Sequence, residues 1–293
     1  MSTVRTSELN GKTGSDMKIS PGQPLMSRRS SSLNLAIADI LEGFRDWRVW
    51  YLLGMNEIRH RYRRSTIGPL WLTISMGIQG AVMGILFVYL FQSPIERYLP
   101  FLMISLVLWY FLNTTIMEGS STFTTASSFI LQSRRPLSIY ILQNFWRNFI
   151  IFAHTAVIFF IVAIIHGMYP GWHYLIALPG ILLFFLNLLW ASLLAAILAV
   201  RFRDVQMIIQ NAFTVLFWAT PILYAPEQLG GGMATEIVQL NPLYHVIEVV
   251  RAPMIENTPT ITNWLVAGGM AIFGCTVTLF LYARTRARIP YWI

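Results

Sequence analysis

Apolar positions gather into six long blocks, at 68–92, 99–121, 142–166, 173–200, 205–224 and 263–283. Each approaches the ~20 residues that cover a hydrocarbon core, so the pattern predicts six transmembrane helices. Polar positions fall mainly in five connections, at about 93–98, 122–141, 167–172, 201–204 and 225–262. Upstream, residues 34–58 carry a different period. Ile37, Ile40, Leu41, Phe44, Trp47 and Tyr51 recur at spacings of three and four, while Asp39, Glu42, Arg45, Asp46 and Arg48 fill the other faces. This is an amphipathic helix, suited to lie in a membrane interface or to pack on a soluble partner. Residues 1–32 are rich in Ser, Gly and Thr and lack periodicity, which predicts a disordered tail. They contain no apolar core of a cleaved signal.

Composition agrees with the blocks. Of 293 residues, 55% are hydrophobic and 12% charged, against about 25% charged in soluble domains. The single cysteine, Cys275, excludes an internal disulfide and a cysteine-cluster metal site. The net charge of +8 first suggests nucleic acid, but its distribution removes that reading. Of 21 Lys and Arg residues, all but Arg97 and Arg251 fall on one side of the predicted topology. Basic residues mark the cytoplasmic face, so both termini are expected there, in a multi-pass membrane protein.

Candidate chemistry is sparse. Gly11-Lys12-Thr13 imitates the end of a phosphate-binding loop, but Thr6 stands where the first glycine of that loop belongs. Arg59, Arg61, Arg63 and Arg64 crowd the approach to the first span, where Gly68–Pro69 opens a helix. Anchoring of topology is one role for them. Recognition of an anionic head group such as a lipid pyrophosphate is the other, because the guanidinium fork pairs phosphate oxygens two at a time. Glu118 is the one carboxylate embedded in an apolar run, which marks it as a functional candidate. It can bond to its Ser120–Thr122 neighbours, line a path, or pair with a cytoplasmic arginine. His154, His166, His173 and His245 lack metal-ligand spacing. Gly80 and Gly84 form a small-xxx-small pair, which serves either contact between subunits or packing within one. Aromatics make up 14% of the chain; those within spans face lipid or line a path on which sugar rings stack. Trp109, Tyr110, Phe213 and Phe217, with Glu118, are the candidate lining residues.

Four stretches occur in a telling order: RYRRSTIGPLWLTISMGI at 61–78, LQSRRPLSIYILQNFWRN at 131–148, RFRD at 201–204, and PILY followed by LNPLYHVIEVVRAPM at 221–254. Together they resemble the membrane subunits of ABC-2 type exporters, in particular the polysaccharide and O-antigen export permeases. The resemblance implies an all-α, type V-like exporter fold with six transmembrane helices over 67–284, preceded by an interfacial segment at 33–66 and followed by a cytoplasmic tail at 285–293. It implies a homodimer driven by two copies of a separate cytoplasmic ATPase, which would hold ATP and Mg; the chain itself would be neither an enzyme nor a cofactor binder. The cargo would be a lipid-linked glycan, or alternatively a drug or small lipid. The basic second connection, 125–137, would be the coupling helix, with Ser128, Gln132, Arg134 and Arg135 meeting the ATPase. The long fourth motif would form re-entrant helices closing the outer mouth, with Asn241, Pro242, Tyr244 and Arg251 as gate residues.

Overall fold

The computed structural model describes residues 32–63, 67–68, 70–133, 135–169 and 171–293. Arg64 and Arg134, two of the candidate site residues, lie outside them, as does most of the predicted tail. Among the described residues all regular structure is helical. The chain runs through α1 (Ser32–Arg45), α2 (Trp47–Tyr62), α3 (Leu70–Phe91), α4 (Ile95–Thr125), α5 (Ser127–Gln132), α6 (Ser138–Ile165) and α7 (His173–Arg201). It continues through α8 (Asp204–Ala219), α9 (Met233–Leu240), α10 (Pro242–Met254), α11 (Ile261–Thr285) and α12 (Ile289–Trp292). Five stretches are long and apolar enough to cross a membrane: α3, α4, α6, α7 and the run Ile261–Trp292 that joins α11 to α12. The block at 205–224 is helical only as α8, sixteen residues or roughly 24 Å, after which the chain bends through Thr220 to Tyr224.

The core is built around α4. Every residue from Phe101 to Trp109 is buried, as expected of a helix that is apolar on all sides. It packs against α3, α6, α7, α8 and α10. Close approach depends on small residues. Gly80 and Gly84 of α3 meet Met103 and Leu99 of α4, so this glycine pair packs helices within the chain. Gly180 of α7 lies against the backbone carbonyl of Val249 in α10.

The amphipathic segment differs from its sequence reading in one respect: it breaks at Asp46 into α1 and α2. Its apolar stripe is turned away from the rest of the protein. The face of α1 turned to the protein carries Ala36, Asp39 and Gly43, whereas Ile37, Leu41 and Phe44 are exposed. Asp39, one of the polar residues off the apolar stripe, is buried. Its carboxylate accepts from the Leu137 and Ser138 amides at 3.2 and 3.1 Å, from the Tyr282 hydroxyl at 2.7 Å and from Arg286 Nε at 2.9 Å. One side chain thus joins α1, the start of α6 and the end of α11. Gly43 is required beside it, because a Cβ there would meet the Ser138 hydroxyl.

Candidate functional site

At the end of the bundle that carries the basic residues, α2, α4, α5 and α6 surround a cavity of about 400 Å³. α2 contributes Arg61, α4 contributes Glu118, α5 contributes Phe129, the segment entering α6 contributes Arg135, and α6 contributes Arg147. A second hollow of about 500 Å³ lies between α3, α4 and α8. It is lined by aromatic rings, including Trp109, Tyr110, Phe213 and Phe217, interleaved with the amides of Gln79, Asn113 and Gln210. Glu118 borders both.

The four candidate rings do come together. The Trp109 ring centroid lies 5.7 Å from that of Phe213 and 5.7 Å from that of Phe217, at steep angles that satisfy the aromatic quadrupoles. Trp109 and Phe213 are buried; Tyr110 is exposed. Their convergence follows from spacing. Phe213 and Phe217 are four apart and share a face of α8, opposite the Trp109 face of α4.

Glu118 pairs with arginines, one of the three roles left open for it. One carboxylate oxygen accepts from Arg61 at 3.3 Å; the other accepts from Arg147 at 2.7 Å and from the Asn148 amide at 2.9 Å. The nearby hydroxyls of Ser121 and Thr122 bond instead to its backbone carbonyl. Arg147 also pairs with Glu57 of α2, which accepts from Gln143 at 2.6 Å. Burial pushes the Tyr62 phenol above its usual range; Arg61 opposes that shift, and Tyr110 and Glu118 add to it. Among the described residues of the basic cluster, only Arg61 reaches this network. Arg59 and Arg63 are exposed and form no ion pair among the described residues.

Ser128, Gln132 and Arg135 all lie on the same end, exposed, with Arg135 3.4 Å from Asp46. α5 anchors itself through buried Ile130 and exposes Phe129 and Leu131. At the opposite end, Asn241 caps α10 by accepting from the Leu243 amide at 3.0 Å, and donates to the Thr220 hydroxyl at 2.8 Å. Pro242 occupies the first turn of α10, and the Tyr244 ring packs on His245 at 5.0 Å. Arg251 is 1% exposed. It pairs with Glu248, donates to the Ser105 hydroxyl at 3.0 Å and to the Pro221 carbonyl, and lies 4.5 Å above the Phe101 ring.

Sequence reasoning passed over Arg147, counting it only as topology charge, and passed over Glu57 and the amides of the second hollow. A signal was available for Arg147: Asn144, Arg147 and Asn148 share one face of an otherwise apolar span.

Comparison with known proteins fits this architecture. Residues 48–255 match the family described as ABC-2 type transporter. The chain belongs to that family. The O-antigen export system permease protein RfbA of Myxococcus xanthus is 25% identical over 207 residues, covering 70% of this chain and 79% of that protein. A permease of the same name from Klebsiella pneumoniae is 23% identical over 196 residues, covering 66% and 74%. The ABC-2 chain is therefore a multi-pass membrane subunit that is not itself catalytic; ATP hydrolysis in such systems belongs to a separate subunit.

Proposed function

We propose that the chain is the permease of an exporter that carries a lipid-linked polysaccharide from the cytoplasmic to the external face of the inner membrane. The hollow of interleaved rings and amides between α3, α4 and α8 carries this reading. Rings offer stacking surfaces to sugar planes, and amides offer donors and acceptors without fixed charge. Such a lining tolerates a sliding neutral chain and is unfavourable against lipid tails, where amides find no partner. Two copies of the chain, with α8 as the sixth membrane element of each, enclose the path by facing these hollows toward each other. Relatives named as O-antigen export permeases support the cargo class.

The arginines Arg59, Arg61, Arg63 and Arg64 receive the carrier head group at the inner leaflet. α5, with Ser128, Phe129, Leu131 and Gln132 turned outward, docks on the ATPase, flanked by Arg134 and Arg135. Asn241, Pro242, Tyr244 and Arg251 hold the external closure. Replacing Trp109 and Phe217 together by leucine keeps apolar bulk and removes the ring faces. Surface glycan, quantified in cells carrying the variant at normal membrane levels, is expected to fall about tenfold, the equivalent of 1.4 kcal/mol in a rate-limiting step. Unchanged glycan in a strain lacking the chain altogether would instead assign it a drug or small lipid as cargo.

A further inference from the structure

At the basic end one carboxylate bridges two guanidinium groups. Each oxygen of the Glu118 carboxylate takes one guanidinium, Arg61 at 3.3 Å and Arg147 at 2.7 Å, from two different helices. That is the arrangement two phosphate oxygens would adopt, since the arginine fork matches carboxylate and phosphate alike. Arg147 Nε is buried without a hydrogen-bond partner among the described residues, leaving a donor unused where buried donors are normally paired. The adjoining cavity of about 400 Å³ would hold roughly a dozen waters at ~30 Å³ each, ample for a diphosphate.

Resting on the export reading above, we propose that Arg61 and Arg147 form the seat of a diphosphate, and that Glu118 is its built-in competitor, displaced when the ligand arrives. In the empty state each guanidinium is neutralised, so the cavity does not gather anions indiscriminately. A monophosphate presents one phosphoryl group to two guanidinium groups held on different helices, whereas a diphosphate presents one to each. A diphosphate engages both, while Glu118 retains the Asn148 amide as partner at 2.9 Å. Among the described residues the second hollow has no basic side chain in its lining, so the diphosphate is received in the cavity before it crosses, and neutral sugars meet the aromatic path beyond Glu118. Phe129 of α5 walls the same cavity, which places the seat next to the element proposed to meet the ATPase.

The test is equilibrium binding of a fluorescent polyprenyl diphosphate to the transporter assembled with its ATPase in lipid nanodiscs. Removing the competitor by Glu118→Gln is expected to tighten binding about tenfold, and Arg147→Gln to weaken it about tenfold, the scale of one charge-assisted hydrogen bond. Arg147→Lys, which retains the charge and guards against misfolding, weakens it by a smaller factor. A polyprenyl monophosphate is expected to bind more weakly than the diphosphate, and equal binding of the two overturns the assignment to a diphosphate. Competition by free pyrophosphate at similar concentration would support the seat and assign it a soluble source; no competition supports the lipid head group. Weaker or unchanged binding in Glu118→Gln overturns the competitor. A wild-type transporter that ignores the diphosphate while glycan still reaches the surface overturns the seat and leaves the export reading standing. Arg147-dependent binding in a protein whose loss leaves surface glycan unchanged does the reverse.

Discussion

Arg147 and Arg251 each place a guanidinium against a carboxylate inside an apolar bundle, yet their surroundings are opposite. Arg251 is sealed: 1% exposed, covered by the Phe101 ring, with Ser105 and the Pro221 carbonyl completing its shell. Its partner Glu248 is three residues away on the same helix. Arg147 borders a cavity, and its carboxylates come from α2 and α4, with Glu57 38% and Glu118 32% exposed. A sealed pair cannot change partners without leaving a charge unpaired in a low dielectric. A pair beside a cavity can exchange one, because water or a ligand is at hand. The first arrangement fixes helices; the second can bind.

The strongest way to break this comparison is Arg251→Ala. Removing one member of a sealed pair should lower stability by about 3–5 kcal/mol, read as thermal unfolding of the purified protein in detergent. A stable variant with lost export would make Arg251 a moving gate residue rather than a fixed pin. Asp39 sharpens the comparison, because it lies at the end of Arg147 but is enclosed like Arg251. If enclosure decides, Asp39→Asn should cost about 1.5–3 kcal/mol, the range for hydrogen bonds to a charged group, and should expose α1 to limited proteolysis. Proteolysis unchanged from wild type would separate α1 docking from that carboxylate. The smallest effect is expected at Arg135→Ala. Its pair with Asp46 is half exposed and worth at most about 1 kcal/mol, so normal unfolding with reduced ATPase pull-down would mark the side chain as a docking contact.

Five of the six predicted spans were legible because hydropathy is a property of neighbouring residues in one chain segment; the block at 205–224 forms only the sixteen-residue α8. The break at Asp46 and the burial of Asp39 were not, since the 3.6-residue period shows which residues share a face and not which way that face turns. In a bilayer the apolar side of an interfacial helix can point outward and a single acid inward, the opposite of a soluble helix. The candidate rings were legible as a set because Phe213 and Phe217 recur at helical spacing. The Glu118 network was only half legible: a carboxylate in an apolar run announces itself, but its partners stand 57 positions before it and 29 after.

By itself, then, the amino-acid order determined an all-helical membrane protein, the side on which its basic residues collect, and the four ordered stretches that carry its family resemblance. These are set by local composition, which acts on each segment before any other segment is near. Tertiary structure alone decided which charges meet. Packing of α2 against α6, and of α6 against α4, brings Glu57, Arg61, Glu118 and Arg147 into one network, and the same packing leaves the cavity beside it. Charges so far apart in sequence interact appreciably only once helix packing has removed the intervening water, because Coulomb energy falls with distance and with dielectric constant.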